Sequence, residues 1–508
     1  MPAPKAPAVD ATREKRSLES IQSAAHARYC AANPLSAKAH KTASANLPGG
    51  NTRTVLFSQP FPLAFRSGAC NMLTSLDGRS YVDFLGEYSA GLFGHSHPRI
   101  RQAIAGALDR GWNYGAETLQ EKELGSKLTH RFASAGLDLV RFTNSGTEAS
   151  TMAIGTAIAW TGRKKILVFS NAYHGGTVFF PMDMCIWTHS KSSSPPPWKS
   201  AVLPHEFVPA PFNNIAETRA IVDALPGDSL AAIMVEPVQG SGGCRPASRE
   251  FLRYLRETAD RLGALLIVDE VMTSRLGPSG LLATLGLKAD LMTLGKWIGG
   301  GMSFGAFGGR RDVMNMYNPA LGPKEGLLHP GTFNNNVFSM SAGIVALDVF
   351  SPEKVTELNA RGDRMKAAIT QRLVDVGLYP AEHENYLQDV LEMDSFRGDG
   401  TTELYTGNES SDGRPLPLPL PRVFIASRGS MLNLRFTGRD ASVWHNVYYH
   451  FMLEKGIYLA SRGYTPLNLC VSDEDVDTFV EAVEEFLVLH VHDLIRLNSN
   501  LWQEKDCQ

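Results

Sequence analysis

Between about residues 138 and 310 short, unbroken apolar runs alternate with helical stretches, and this constrains the fold more than any other feature. The runs are LVRFTN (139–144), KILVFS (165–170), AAIMVEP (231–237), ALLIVDE (264–270) and LMTLG (291–295). Strands apolar on both faces must be covered on both faces, and strands that alternate with helices run parallel. The expected class is α/β with a mostly parallel sheet. In such sheets chemistry gathers at the C-terminal ends of the strands. Asn144, Asn171, Glu236, Asp269 and Lys296 stand there.

The chain of 508 residues is too long for one ordinary domain and implies two or three structural units. A net charge of −3 without a basic block argues against nucleic acid or an anionic membrane as the main partner. No apolar run approaches the ~20 residues of a membrane helix. Cysteines at 30, 70, 185, 244, 470 and 507 include no Cys-x-x-Cys pair, so neither a zinc site nor a disulfide framework is indicated. The opening MPAPKAPAVDATREKRS lacks a secretory core, and the C-terminal EKDCQ is neither a retention nor a peroxisomal tail. A cytoplasmic protein is expected, with organelle targeting the weaker alternative.

Residues 1–16 read as disordered. RSGACNMLTSLDGRSYVDFLG (66–86) reads as a hairpin turning at Asp77–Gly78. HPRIRQAIAGALDRG (97–111) reads as a helix, with Pro98 in its first turn and an apolar stripe through Ile100, Ile104 and Leu108. A C-terminal α+β unit ends in a long helix over 473–490. RGDGTTELYTGNESSDGRPLPLPLPR (397–422) and KSSSPPPWKS (191–200) read as solvated surface loops, in preference to polyproline docking segments.

Three local patterns converge at the strand ends. After Asn144 comes Ser145–Gly146–Thr147 at the start of a helix. Free N–H groups, the helix dipole and two hydroxyls make that junction an anion site, although serine and threonine are also common helix caps. Asp269 closes an apolar strand, and a carboxylate there needs a cation or several donors. Lys296 follows another strand on the same edge, flanked by LMTLG and GGGMSFGAFGG. A lysine, a carboxylate and a phosphate site together meet the needs of pyridoxal phosphate. The lysine forms a Schiff base with its aldehyde, and the acid keeps its ring nitrogen protonated. Burial lowers the amine's pKa and makes it a usable base and nucleophile. The alternative is a snorkelling surface lysine with Asp269 as a helix cap, and the flanking glycines argue against it. Tyr173 in NAYHGG suits stacking on the ring. His174 and the HSH at 95–97 have no partners at metal-ligand spacing, so no metal site is expected.

NSGTEAS, NAYHGG, VEPVQGSGG (235–243), VDEVMTSR (268–275), LGKWIGGGMSFGAFGG and HPGTFNNNVFSMSAG (329–343) occur in the order found in class III, fold-type I pyridoxal-phosphate aminotransferases. The chain resembles that family over about residues 45–490. Within it the chain is similar to the glutamate-1-semialdehyde aminomutase branch, and most of all to the bacterial β-phenylalanine (β-amino acid) aminotransferases. Those share the PGxxxRxVLF…PFPL pattern near 48–63 and GEYSAGLFGHSHP near 86–98. The resemblance implies a large domain with a mostly parallel seven-stranded sheet and a smaller α+β domain from the N- and C-terminal segments. It divides the chain into an extended or disordered segment 1–40, a first part of the small domain 41–97, the cofactor-binding domain 98–345 and a C-terminal part 346–508 carrying the 397–422 insertion.

The resemblance also implies roles. Lys296 would carry the cofactor and shuttle the proton, and Asp269 would pair with the ring nitrogen. Ser145, Gly146 and Thr147 would hold phosphate, and Tyr173 would stack on the ring. Thr332 would reach the phosphate of a neighbouring subunit, which implies a homodimer with shared active sites. Arg53 would hold a substrate carboxylate and Arg462 the other carboxylate of the acceptor, a bidentate task suited to guanidinium. For either arginine the other reading is a surface ion pair. Met272 stands where the ornithine and 4-aminobutyrate enzymes have glutamine, and TSR replaces their TGFGR, which weakens any ω-amine specificity of that type.

The activity implied is transfer of an amino group from an amino acid, a β-amino acid or related carboxylated amine, to a 2-oxo acid. The reverse direction, aminating a keto intermediate of a specialised biosynthetic pathway, is equally allowed. An intramolecular aminomutase is the first alternative and a non-catalytic binding protein that keeps the fold is the second.

Overall fold

The computed structural model describes residues 17–176, 206–321, 326–379, 421–438 and 440–503. The expected loops at 191–200 and, but for its last two residues, 397–422 lie outside the described residues.

A seven-stranded sheet organises the large domain. Its strands are β1 (Leu139–Thr143), β2 (Lys165–Phe169), β3 (Glu206–Ala210), β4 (Leu230–Val235), β5 (Leu265–Asp269), β6 (Leu291–Gly295) and β7 (Gly305–Gly309). Their order is β1-β7-β6-β5-β4-β2-β3, and only β7 runs antiparallel to its neighbours. The α/β class and mostly parallel sheet are as expected. Both faces are covered, and alternate residues divide between them. Ile166 and Val168 pack with Ala149, Ala153, Ile154 and Ala157 of the helix Gly146–Thr161 on one side. Leu167 and Phe169 pack with Phe251, Leu255 and Ala259 of the helix Arg249–Leu262 on the other. Each fully buried Leu, Ile or Phe contributes roughly 1.5–3 kcal/mol.

The antiparallel strand β7 was not expected. Its glycines allow close approach: a Cβ on Gly305 would lie 2.1 Å from the Ser145 carbonyl oxygen. The helix start carrying Ser145 is thereby drawn against the end of the sheet.

The small domain joins distant parts of the chain. The hairpin at Asp77–Gly78 forms between Met72–Ser75 and Ser80–Asp83, preceded by a further strand Phe65–Ala69. Ile457–Tyr458 completes this sheet in parallel with Ser80–Asp83. A second sheet contains Val423–Arg428, Met431–Phe436 and Tyr464–Pro466.

The expectation of an extended segment over 1–40 is corrected in its second half. Leu18–Ala32 and Pro34–Ala43 are helices. Ser17 caps the first, and Ile21, Ala25 and Tyr29 at four-residue spacing bury against the rest of the protein. Gln22 Nε2 donates to Asn446 Oδ1 at 3.1 Å, so tertiary contacts with the helix Ala441–Glu454 stabilise a segment with little sequence period. The C-terminal helix runs longer than expected, from Asp473 to Gln503. Among the described residues no helix is long and apolar enough to cross a membrane.

Candidate active site

Lys296 follows the last residue of β6 and opens the short turn Lys296–Gly299. Its φ is +52°, a conformation that side-chain-bearing residues seldom adopt and that concentrates at functional sites. The next two residues lock the turn: Trp297 and Ile298 are fully buried, and the indole Nε1 donates to Ser274 Oγ at 2.9 Å. Burial lowers the lysine's pKa, and the charges of Asp269 and Glu236 oppose that shift.

Asp269 ends β5, buried, next to β6 in the sheet. Its Oδ1 accepts from Val271 N at 3.0 Å and its Oδ2 lies 2.8 Å from His174 Nδ1. Burial opposes protonation of His174, but the hydrogen bond with Asp269 and the charges of Asp269 and Glu236 together outweigh it and raise its pKa. His174 Nε2 is buried and has no hydrogen-bond partner among the described residues. The neighbouring Glu270 points into structural contacts, accepting from Leu282 N at 2.7 Å and Thr273 Oγ1 at 2.7 Å. Adjacent carboxylates thus divide between site and scaffold.

Glu236, one residue past β4, is also buried. It accepts from Tyr173 N at 2.9 Å and Gly240 N at 3.2 Å. Burial pushes its carboxyl up to about 7; His174 opposes the rise and Asp269 adds to it. The strand-end position of Glu236 was legible in the sequence, but its part in this cluster was not.

Ser145, Gly146 and Thr147 form the start of the helix Gly146–Thr161. Ser145 Oγ caps the helix, accepting from Glu148 N at 3.2 Å. Thr147 Oγ1 accepts from Gly176 N at 3.1 Å, which seats the 171–176 loop on the helix start. A Cβ on Gly175, at φ +103°, would come within 2.4 Å of that hydroxyl oxygen, so the seating requires glycine. Tyr173 of this loop is half exposed beside the site. Thr332 is exposed in a turn whose Asn334 Oδ1 accepts from Asn144 Nδ2 at 3.1 Å. Met272 packs against Gly240, where any Cβ would lie 2.1 Å from its sulfur, and Arg275 of TSR is buried and donates to Ser430 Oγ at 3.2 Å.

These groups fit pyridoxal phosphate. The helix start offers N–H groups to a phosphate. The amine of Lys296 has a lowered pKa. Asp269 is a buried acid held by His174, whose outer nitrogen has no partner among the described residues. Among the described residues no cluster of three or more His, Cys, Asp or Glu could hold a metal ion. His95 Nε2 instead pairs with Asp83 Oδ2 at 2.9 Å.

The outer side of the site comes from other segments. Arg53 Nη1 pairs with Glu87, and its guanidinium lies 5.6 Å from the Tyr88 ring centroid. The charge of Arg53 is felt at Lys296, Tyr173 and Tyr88. Arg462 is exposed, acts on Tyr88 and has no ion-pair partner among the described residues. Glu87 and Tyr88 were missed as site residues, because GEYS has no period or charge pattern to single them out.

A family model described as Aminotransferase class-III matches residues 57–393. The chain is 38% identical over 475 residues to the β-phenylalanine transaminase of Variovorax paradoxus, covering 93% of this chain and 97% of the relative. It is 30% identical over 464 residues to a glutamate-1-semialdehyde 2,1-aminomutase of Methanothermobacter thermautotrophicus, covering 88% and 97%. Among solved structures, a β-phenylalanine aminotransferase from Variovorax paradoxus superposes with a TM-score of 0.79 at 35% identity, over 94% of this chain and 99% of the other.

Proposed function

Because the chain belongs to the class-III aminotransferases, we propose that it moves the amino group of a β-amino acid, of the β-phenylalanine kind, onto a 2-oxo acid. Its cofactor is pyridoxal 5′-phosphate, which when bound supplies an aldehyde for the donor's amine and a ring that accepts the electron pair released at the donor carbon. Lys296, whose pKa burial lowers, would take the proton from the donor's amine-bearing carbon and deliver it on the far side of the amine nitrogen, two atoms away. Asp269, fixed by His174 at 2.8 Å, holds the ring nitrogen's proton. The N–H groups at Gly146 and Thr147 would hold the phosphate, and Tyr173 would stack on the ring. Thr332, exposed on its own subunit, completes the phosphate site of a second copy in a homodimer. Arg53 binds the donor's carboxylate and Arg462 the second carboxylate of the acceptor.

One observation supports this reading: Asp269, 2.8 Å from His174, and Lys296 stand at the C-terminal ends of two adjacent strands of one sheet. Borohydride reduction of the holoenzyme followed by peptide mapping is expected to place the label on Lys296. A label on another lysine would overturn it. The aminomutase relative supports a second reading, intramolecular transfer. Turnover sustained without any 2-oxo acid would favour it, and strict dependence on the acceptor would exclude it.

A further inference from the structure

Four consecutive residues, Gly86–Ser89, have φ values of +50°, +49°, +54° and +76°. Left-handed residues normally occur singly, and a run of them is retained only where the surroundings enforce it. Here the run presents Glu87 and Tyr88 to Arg53. Tyr88 Oη donates to the Val55 carbonyl oxygen at 3.0 Å, tying the turn to the segment that carries Arg53. Tyr88 also stacks on Tyr464, with centroids 6.5 Å apart and planes at 12°. Arg53 therefore has a ring beside its guanidinium and a carboxylate on Nη1 before any substrate arrives.

We propose that Glu87 is a specificity-determining residue that competes with the donor's carboxylate for Arg53. The inference rests on Arg53 being the donor's carboxylate site. A guanidinium has five N–H donors, so Glu87 on one nitrogen leaves room for a second acceptor, but two carboxylates on one cation repel. A carboxylated donor binds against that repulsion or expels Glu87. An amine without a carboxylate leaves the pair intact. Glu87 thus narrows the preference for carboxylated donors below what Arg53 alone would give.

Glu87→Gln tests this, because the amide oxygen still accepts from Nη1 while the charge is gone. The probe is the inhibitor 3-phenylpropanoate, which carries a carboxylate and no amine. In the holoenzyme its Ki is expected to fall about five-fold, as for a partly exposed charge pair. The KM for β-phenylalanine is expected to fall in parallel, and that for the amine 1-phenylethylamine to stay put. The gain should vanish in an Arg53→Ala background. A Ki that rises or does not move would overturn the proposal and leave Glu87 as a residue that positions Arg53. Glu87→Asp, which draws the carboxylate back by one methylene, should shift Ki the same way by less and serves if the amide variant does not fold. The inhibitor reports on Arg53 whether or not β-phenylalanine is turned over. Absent turnover with a lowered Ki would therefore refute the donor assignment and leave the Glu87 competition standing.

Discussion

The two sides of this active site are built on opposite plans. On the inner side Asp269, His174 and Glu236 are 5%, 1% and 5% exposed, and sheet strands or the loops directly after them hold each one. On the outer side the Arg53 and Glu87 side chains are 43% and 59% exposed, and Arg53, Glu87 and Arg462 come from three separate segments of the small domain. The inner groups are dehydrated, so their charges act strongly on one another, and the pKa values of His174 and Glu236 rise. The outer groups are wet, so their pairing is weak and exchangeable. Chemistry common to every donor can sit on the rigid side, and discrimination between donors on the exchangeable one.

The hardest test of that division is Lys296→Ala. It should lower kcat at least about 10³-fold, by the same factor for carboxylated and uncarboxylated donors, while circular dichroism shows the fold retained. A loss that depends on the donor would break the division, since an inner residue would then be sorting substrates.

The same contrast governs what could be read from the sequence. Asp269 and Lys296 each end an apolar strand, so the burial pattern alone placed them on one edge of a sheet. Ser145–Thr147 was legible because a helix start has a local signature. Two strands were not. Glu206–Ala210 is a half-buried edge strand containing Pro209, and Gly305–Gly309 is formed from residues with poor strand propensity that close packing requires. The helix Leu18–Ala32 is held by residues more than 400 positions away and the start of Pro34–Ala43 by Asp77 in the hairpin turn, ties that no local period encodes. The outer side of the site is least legible for the same reason. The Arg53–Glu87 pair depends on a left-handed turn at residues 86–89, and only Gly86 in that turn announces such a conformation.

The closed inner side responds to pH through Glu236. Its carboxyl rises from an ordinary 4.5 to about 7 on burial. Between those values the folded protein keeps a proton that the unfolded chain has lost. Stability from this group is therefore full below about pH 4.5 and is lost as pH rises through 7, a change of roughly 3 kcal/mol. Glu236→Gln cannot titrate. Denaturant unfolding of the cofactor-free protein at pH 5 and pH 8 should show the variant gaining roughly that much on the parent at the higher pH. Parallel curves would mean that water reaches Glu236 and that the inner side is not closed in the sense claimed.

A smaller effect is expected at Arg462. Unlike Arg53, it has no acidic partner among the described residues, yet both cations act on Tyr88. A cation without a competing carboxylate can engage an acceptor without displacing anything, so its contribution should be modest and direct. With 2-oxoglutarate as acceptor, Arg462→Ala is expected to raise KM about tenfold, the value of one charge-assisted contact at an exposed site. With pyruvate as acceptor the rise should stay below about twofold, because pyruvate offers no second carboxylate to lose a contact. That difference would assign Arg462 to the second carboxylate. If KM rises equally for both, Arg462 holds the carboxylate that the two acceptors share. The outer side would then use its two arginines for one task, and the contrast between a paired and an unpaired cation would no longer separate donor from acceptor.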